Sequence, residues 1–199
     1  LESLDNFPPL PYHLIEVEKF LSAIEDGNRN LYYYTSYGCP HRCAFCIEEL
    51  VNKRHWVSLS ADRIVNEIEH LKNTYNIDSV SIIDSNFFVN RDRVEKMCDL
   101  MLQRNLAIKW GNVNGRTATL AKYGDNLWVK MAKSGLSSIL TGAESGDQEA
   151  LDFMQKDIKK EDVLELARLC NKHNIKIIAS YLSGLPWSND PKICQEKVD

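Results

Sequence analysis

Three cysteines within eight residues are the first chemical signal in this sequence. The run Gly38-Cys39-Pro40-His41-Arg42-Cys43-Ala44-Phe45-Cys46 sets Cys39, Cys43 and Cys46 at Cys-x3-Cys-x2-Cys spacing. Thiolates are soft donors, suited to iron–sulfur clusters or to zinc. A four-iron cluster ordinarily takes four cysteines, so three close ones leave one metal position for another ligand. Zinc is the alternative, since a structural site takes four donors and His41 or His55 could complete it. Zinc loops, however, generally come as two separated pairs, and the sequence has no second pair. Three bare thiols in an exposed loop would invite oxidation, which weakens any reading without a metal. The other cysteines, Cys98, Cys170 and Cys194, are scattered. With no secretion signal, a close cluster reads as a metal site and not as a disulfide framework.

The elements around this loop alternate between strand and helix. A strand over Leu31–Ser36 runs into the cysteine loop. A helix follows from Ser60, an N-cap, with Ile64, Val65, Ile68 and Leu71 on one face. Ser79–Ile83 is a β-branched second strand. The next helix starts near Asn90 and places Val94, Met97, Cys98 and Met101 at i, i+3, i+4 and i+7. Ala107–Gly111 is the third strand, and a less regular helix ends at Gly135, a good C′ residue. Ser137–Thr141, a helix through Val163, Leu166, Ala167 and Cys170, and Ile175–Leu182 complete the pattern.

Such alternation predicts an α/β fold with a parallel sheet and right-handed crossovers. The cysteine loop then sits at the carboxyl end of a strand, where β/α proteins place their sites. About five units fit after residue 30, short of the roughly 250 residues of a full eight-unit barrel, so a partial barrel is expected. Residues 1–30 read as an irregular linker marked by Pro8, Pro9 and Pro11, with a short amphipathic stretch at Val17, Phe20, Leu21 and Ile24. Residues 31–199 form the barrel. The chain starts at Leu1 and closes on what reads as the opening of a helix, so it is expected to be a piece of a longer one.

At 44% hydrophobic and 26% charged residues, the 199-residue chain has an ordinary globular composition. A net charge of −4 and a pI near 5.8 give no general reason to expect nucleic acid or an anionic membrane as partner. No apolar run approaches the roughly 20 residues of a membrane-spanning helix, and no signal peptide is visible, so a cytoplasmic protein is expected. Cys98 and Cys170 fall on apolar helix faces and read as core residues. Trp110, Trp128 and Trp187 read as packing residues, and His13, His70 and His173 as surface residues.

The segment TSYGCPHRCAFC resembles the cluster-binding loop of the radical S-adenosylmethionine (SAM) superfamily, with aromatic Phe45 just before the last cysteine. The likeness extends in order through SIIDSNFF, NGR, GAES and SYLSGLP. It implies a TIM-like partial (β/α)6 barrel, stopping here before the last unit. It also implies a 4Fe-4S cluster on Cys39, Cys43 and Cys46 whose fourth iron is chelated by SAM. One electron then cleaves the sulfonium, giving methionine and a 5′-deoxyadenosyl radical. By the same resemblance the backbone at Phe45 meets the adenine, Glu144 accepts the ribose hydroxyls, Arg116 pairs with the SAM carboxylate, and Asp84 and Asn86 reach the methionine end. No catalytic acid or base is assigned. The sequence departs from the family where the second strand lacks a Gly-Gly-Glu-like triplet and the last turn reads LPWSND.

The stretch NFPPLPYHLIEVEKFL resembles the segment that joins a cobalamin-binding domain to the barrel in cobalamin-dependent members. That implies a methyltransferase or related enzyme acting on a small-molecule substrate. Cobalamin would sit on a domain outside this chain, and flavodoxin or ferredoxin would be the electron donor. A radical SAM methylthiotransferase is the neighbouring reading. A non-catalytic iron–sulfur or zinc protein is the reading from another class.

Overall fold

The computed structural model describes residues 3–24 and 27–185. Trp187, Cys194, the turn beyond Leu185 and the side chain of Ile24 lie outside the described residues. The leading segment forms three short 3-10 turns, at Leu4–Asn6, Tyr12–Leu14 and Val17–Lys19. It then enters β1 (Ser22–Ile24), which pairs antiparallel with β2 (Gly27–Tyr33). The segment expected to be an irregular linker thus holds a hairpin, and the first strand begins at Gly27 and not at Leu31.

After β2 come β3 (Ser36–Gly38), α1 (Glu48–Asn52), β4 (Trp56–Ser58) and α2 (Ala61–Tyr75). β5 (Ser79–Ile82) leads to α3 (Arg91–Gln103), and β6 (Lys109–Gly111) to β7 (Val113–Asn114). Then follow α4 (Thr117–Leu120), α5 (Asp125–Lys133), β8 (Ser138–Glu144), α6 (Gln148–Phe153), α7 (Lys160–Lys172) and β9 (Lys176–Tyr181).

The helices begin where local chemistry starts them. The Ser60 hydroxyl accepts the Arg63 N–H at 3.3 Å, and Asn90 Oδ1 accepts the Arg93 N–H at 3.0 Å. Each side chain satisfies an amide that has no partner inside the helix. Arg63 also donates to the carbonyls of Leu4, Asp5 and Phe7, which straps the leading segment onto α2.

β2, β5 and β6 pair in parallel, and so do β7, β8 and β9. Asn112, at φ +49°, separates β6 from β7. Its N–H donates to the Ser138 hydroxyl at 2.9 Å and its Nδ2 to the Ser81 hydroxyl at 3.0 Å. The third strand is therefore one path bent at Asn112, pairing with β5 before the bend and β8 after it. A parallel bridge between Trp110 and Leu136 joins the two sheets. Among the parallel strands, spatial order follows chain order, as in a β/α barrel, whereas a doubly wound sheet reverses direction at its centre.

Between sheet and helices lies the main core. α2 contributes Ile64, Val65 and Ile68, α3 Val94, Met97 and Cys98, α5 Trp128 and Met131, and α7 Leu166 and Cys170, all fully buried. Burying each large aliphatic side chain contributes roughly 1.5–3 kcal/mol. Cys98 and Cys170 behave as small hydrophobes, and burial pushes both thiols up to about 12. Trp110 and Trp128 are core residues as well. His13 and His70 are exposed. His173 differs from the surface reading: its side chain is only 9% exposed, stacked 6.0 Å from Trp128 and 3.0 Å from an Asp125 oxygen. A second cluster holds Ala150, Leu151, Met154 and Ile158, and the cysteine loop is tied to it where the Ala44 N–H donates to the Met154 carbonyl at 2.9 Å.

Candidate functional site

The first strand does not run unbroken into the cysteines. Asp84, fully buried just past β5, accepts the Thr35 N–H at 2.7 Å, the Thr35 hydroxyl at 2.5 Å and the Ser36 hydroxyl at 2.6 Å. These bonds draw Thr35 out of the ladder, so the chain ends β2 at Tyr33 and restarts as β3, paired antiparallel with β4. Gly38 closes β3 at φ +83°, and a Cβ there would lie 2.1 Å from the His55 carbonyl oxygen. No other residue fits a left-handed position against that carbonyl. The loop carrying Cys39, Cys43 and Cys46 leaves from this point.

All three cysteines are free, partly exposed thiols and line a cleft of about 190 Å³. The same cleft receives Phe45 and Glu48 from the loop and α1, Ser85 and Asn86 from beyond β5, Arg116 from beyond β7, Glu144 from the end of β8, and Lys156 from beyond α6. Two N–H donors face sulfur. Asn86 Nδ2 lies 3.6 Å from Cys39 Sγ, and Arg116 Nη1 lies 3.7 Å from Cys43 Sγ. Arg116 Nη2 donates to the Lys156 carbonyl, so both terminal nitrogens of its fork are engaged.

Glu144 ends β8 at φ +63°, where the β8–β9 register shifts. Its Oε1 accepts from Lys156 Nζ at 2.8 Å, with side-chain exposures of 8% and 11%. The pair occupies space that only a glycine leaves: a Cβ on Gly142 would fall 1.9 Å from Glu144 Oε1 and 2.6 Å from Lys156 Nζ. Lys156 Nζ also lies 5.6 Å from the centre of the Phe45 ring, within cation–π range. Burial first, and then the positive charge of Arg116, pushes His41 down to about 4. His41 is therefore neutral at pH 7, and the positive charge at the cleft comes from Arg116 and Lys156.

Of the sequence-predicted residues, the structure brings Cys39, Cys43, Cys46, Phe45, Asn86, Arg116 and Glu144 to one cleft. It does not bring Asp84 there, because that carboxylate is turned to Thr35 and Ser36. Lys156 was missed, since a lone lysine after a short helix carries no motif. Arg93 was missed too. It is 7% exposed, its guanidinium lies 5.1 Å from the Trp56 ring and 4.6 Å from the Phe87 ring, and it donates to the Thr35 hydroxyl at 3.1 Å. Burial lowers it to about 10, while Asp84 opposes the shift. Trp56 Nε1 in turn donates to the Asn86 carbonyl at 3.0 Å. A chain of contacts, buried at Asp84, Thr35, Arg93 and Asn86 and half-buried at Trp56, thus leads to Cys39.

A cavity of about 730 Å³ lies elsewhere, between Pro8–Pro11 and α2. It holds no cysteine, and its Arg63 and Glu67 are already bonded to one another at 2.6 Å.

The model of the Radical SAM superfamily matches residues 33–193. An uncharacterized methyltransferase of Pyrococcus horikoshii is 25% identical over 186 residues, covering 94% of this chain and 39% of that protein. An anaerobic magnesium-protoporphyrin IX monomethyl ester cyclase of Rubrivivax gelatinosus is 24% identical over 185 residues, covering 93% of this chain and 32% of its own. The chain thus spans about a third to two fifths of the length of these relatives. Among solved structures, the radical S-adenosylmethionine methyltransferase TsrM from Kitasatospora setae, with cobalamin and a [4Fe-4S] cluster bound, shares the fold. Its TM-score is 0.71 at 20% identity, over 84% of this chain and 33% of TsrM.

Proposed function

The chain belongs to the radical SAM superfamily, and we propose that Cys39, Cys43 and Cys46 hold three irons of its 4Fe-4S cluster, leaving the fourth iron to SAM. One observation carries this reading: three free thiols on one strand-end loop line a cleft together with an unspent amide oxygen and a buried carboxylate–ammonium pair. The donor set suits the group. Three thiolates are soft donors and leave one iron of a four-iron cluster without a cysteine. Asn86 Oδ1 is buried and has no partner, an arrangement that costs free energy unless a ligand donor meets it. The cluster, when bound, supplies the electron that cleaves the SAM sulfonium to methionine and a 5′-deoxyadenosyl radical.

The chain's own residues would bind and orient the nucleotide. Asn86 Oδ1 accepts from the amino group of SAM. The positive charges of Arg116 and Lys156, both lining the cleft, attract its carboxylate. Glu144, a carboxylate with capacity for two hydroxyl donors, receives the ribose. The backbone around Phe45 meets the adenine. Asp84 acts at one remove, by holding the strand that delivers the loop.

The family likeness also supports a six-unit partial barrel that this chain follows up to its fifth parallel strand, with residues 1–30 as the joining segment. The whole protein is then a cytoplasmic cobalamin-dependent methyltransferase, its cobalamin on a further domain. It acts on a small molecule and is reduced by a flavodoxin or ferredoxin. Similarity to the cyclase, at nearly the same identity, supports ring formation as the second reading. Anaerobic reconstitution with iron and sulfide, followed by reduction in the presence of SAM, should release 5′-deoxyadenosine. A fully loaded protein that leaves SAM intact under those conditions would defeat the proposal.

A further inference from the structure

The two N–H groups aimed at cysteine sulfur have a consequence that does not depend on the substrate. Asn86 Nδ2 is 3.6 Å from Cys39 Sγ, and Arg116 Nη1 is 3.7 Å from Cys43 Sγ. Among the described residues, no side chain donates to Cys46 Sγ. The Asn86 amide is oriented by chemistry, because a flipped amide would set Oδ1 against an electron-rich sulfur. It is also fixed in place. Its side chain lies on a residue 4% exposed, and its own carbonyl accepts from Trp56 Nε1 at 3.0 Å. Trp56 is held by the Arg93 guanidinium, which bonds Thr35 beside the Asp84 carboxylate. Arg116 is fixed through the Lys156 carbonyl.

We infer that Asn86 and Arg116 are positioning residues that set the reduction potential of the cluster by donating to two of its three thiolates. The inference rests on the cluster assignment above. One-electron reduction adds one negative charge, shared between irons and sulfurs. A fixed N–H donor stabilises that charge more than it stabilises the oxidised form, so each donor raises the potential. Arg116 does more than Asn86, since it brings a full positive charge with its hydrogen bond. Cys46, to which no side chain among the described residues donates, would leave its iron the most electron-rich of the three.

The test is a redox titration of the reconstituted chain without SAM, following the electron paramagnetic resonance signal of the reduced cluster. Asn86→Ala should make the one-electron reduction less favourable by on the order of tenfold, or about 59 mV. Arg116→Gln should shift it further, and Arg116→Lys should recover part of the difference because the charge is restored. A purely structural role would change iron content or melting temperature and leave the potential of the loaded fraction in place. If Asn86→Ala takes up no cluster, the Arg116 pair decides the outcome. Unchanged potentials in the variants that load, or folded variants that all fail to load, overturn the inference. Failure of the parent chain to hold four irons would instead strike the cluster assignment itself.

Discussion

Replacing Asp84 with alanine separates a carboxylate that holds the cysteine loop from one that meets a ligand. Asp84 is fully buried and accepts three hydrogen bonds, at 2.7, 2.5 and 2.6 Å, from Thr35 and Ser36. Hydrogen bonds to a charged group contribute about 1.5–3 kcal/mol each, and three at the low end give about 4.5 kcal/mol before allowing for their sharing one carboxylate. A second route starts from Arg93, 7% exposed, which loses the negative charge that opposes its burial. Removing one partner from a buried charged network costs about 3–5 kcal/mol. Both routes arrive near 4 kcal/mol. At about 2–4 °C per kcal/mol for a domain of this size, the melting temperature should fall by about 8–16 °C. Circular dichroism melts with and without urea measure it. Asp84→Asn, which keeps the shape and one acceptor oxygen, should lose about half as much. SAM affinity of the reconstituted protein, measured where both variants are folded, should change less than about threefold, or about 0.7 kcal/mol. The reasoning is refuted if Asp84→Ala melts within about 2 °C of the parent while SAM binds tenfold or more weakly.

Other outcomes follow from the same geometry. Gly142→Ala should displace the Glu144–Lys156 pair, since its Cβ would fall 1.9 Å from Glu144 Oε1; the expected result is a loss of about 1–3 kcal/mol in denaturant melts and tenfold or weaker SAM binding by calorimetry. Ile68→Ala, at a fully buried α2 position, should cost about 2–5 kcal/mol in urea unfolding without altering iron content. In the metal-free protein at pH 8, iodoacetamide followed by peptide mass mapping should label Cys39, Cys43 and Cys46 and spare Cys98 and Cys170. Those two thiols are pushed up to about 12, so only about one in ten thousand is thiolate at pH 8, and a rise to pH 10 should speed their labelling about a hundredfold if the fold holds.

The periodicity of the sequence disclosed α2, α3, α5 and α7, whereas α1, α4 and α6 are too short to show a period. Ser60 and Asn90 each cap the helix expected of them. The strands were legible as apolar runs, but their ends were not. β2 stops at Tyr33 because of Asp84, a residue 49 positions from Thr35 in sequence, and no local pattern contains that contact. The bend at Asn112 depends likewise on Ser81 and Ser138. At the site, the cysteine spacing and the GAES glycine and glutamate were visible as motifs. Lys156 and Arg93 were not, since their roles come from burial against distant partners. The Asp84 assignment placed a residue at the right strand end. Side-chain direction, set by Thr35 and Ser36, was beyond what a single sequence carries.

Mössbauer spectroscopy of the chain reconstituted with iron-57, with and without SAM, bears most directly on the cluster. Three irons with a cysteine ligand and one without should appear at 3:1, and SAM should move the minority signal alone. Four equivalent irons indifferent to SAM, or zinc in place of iron after anaerobic purification, would contradict the account.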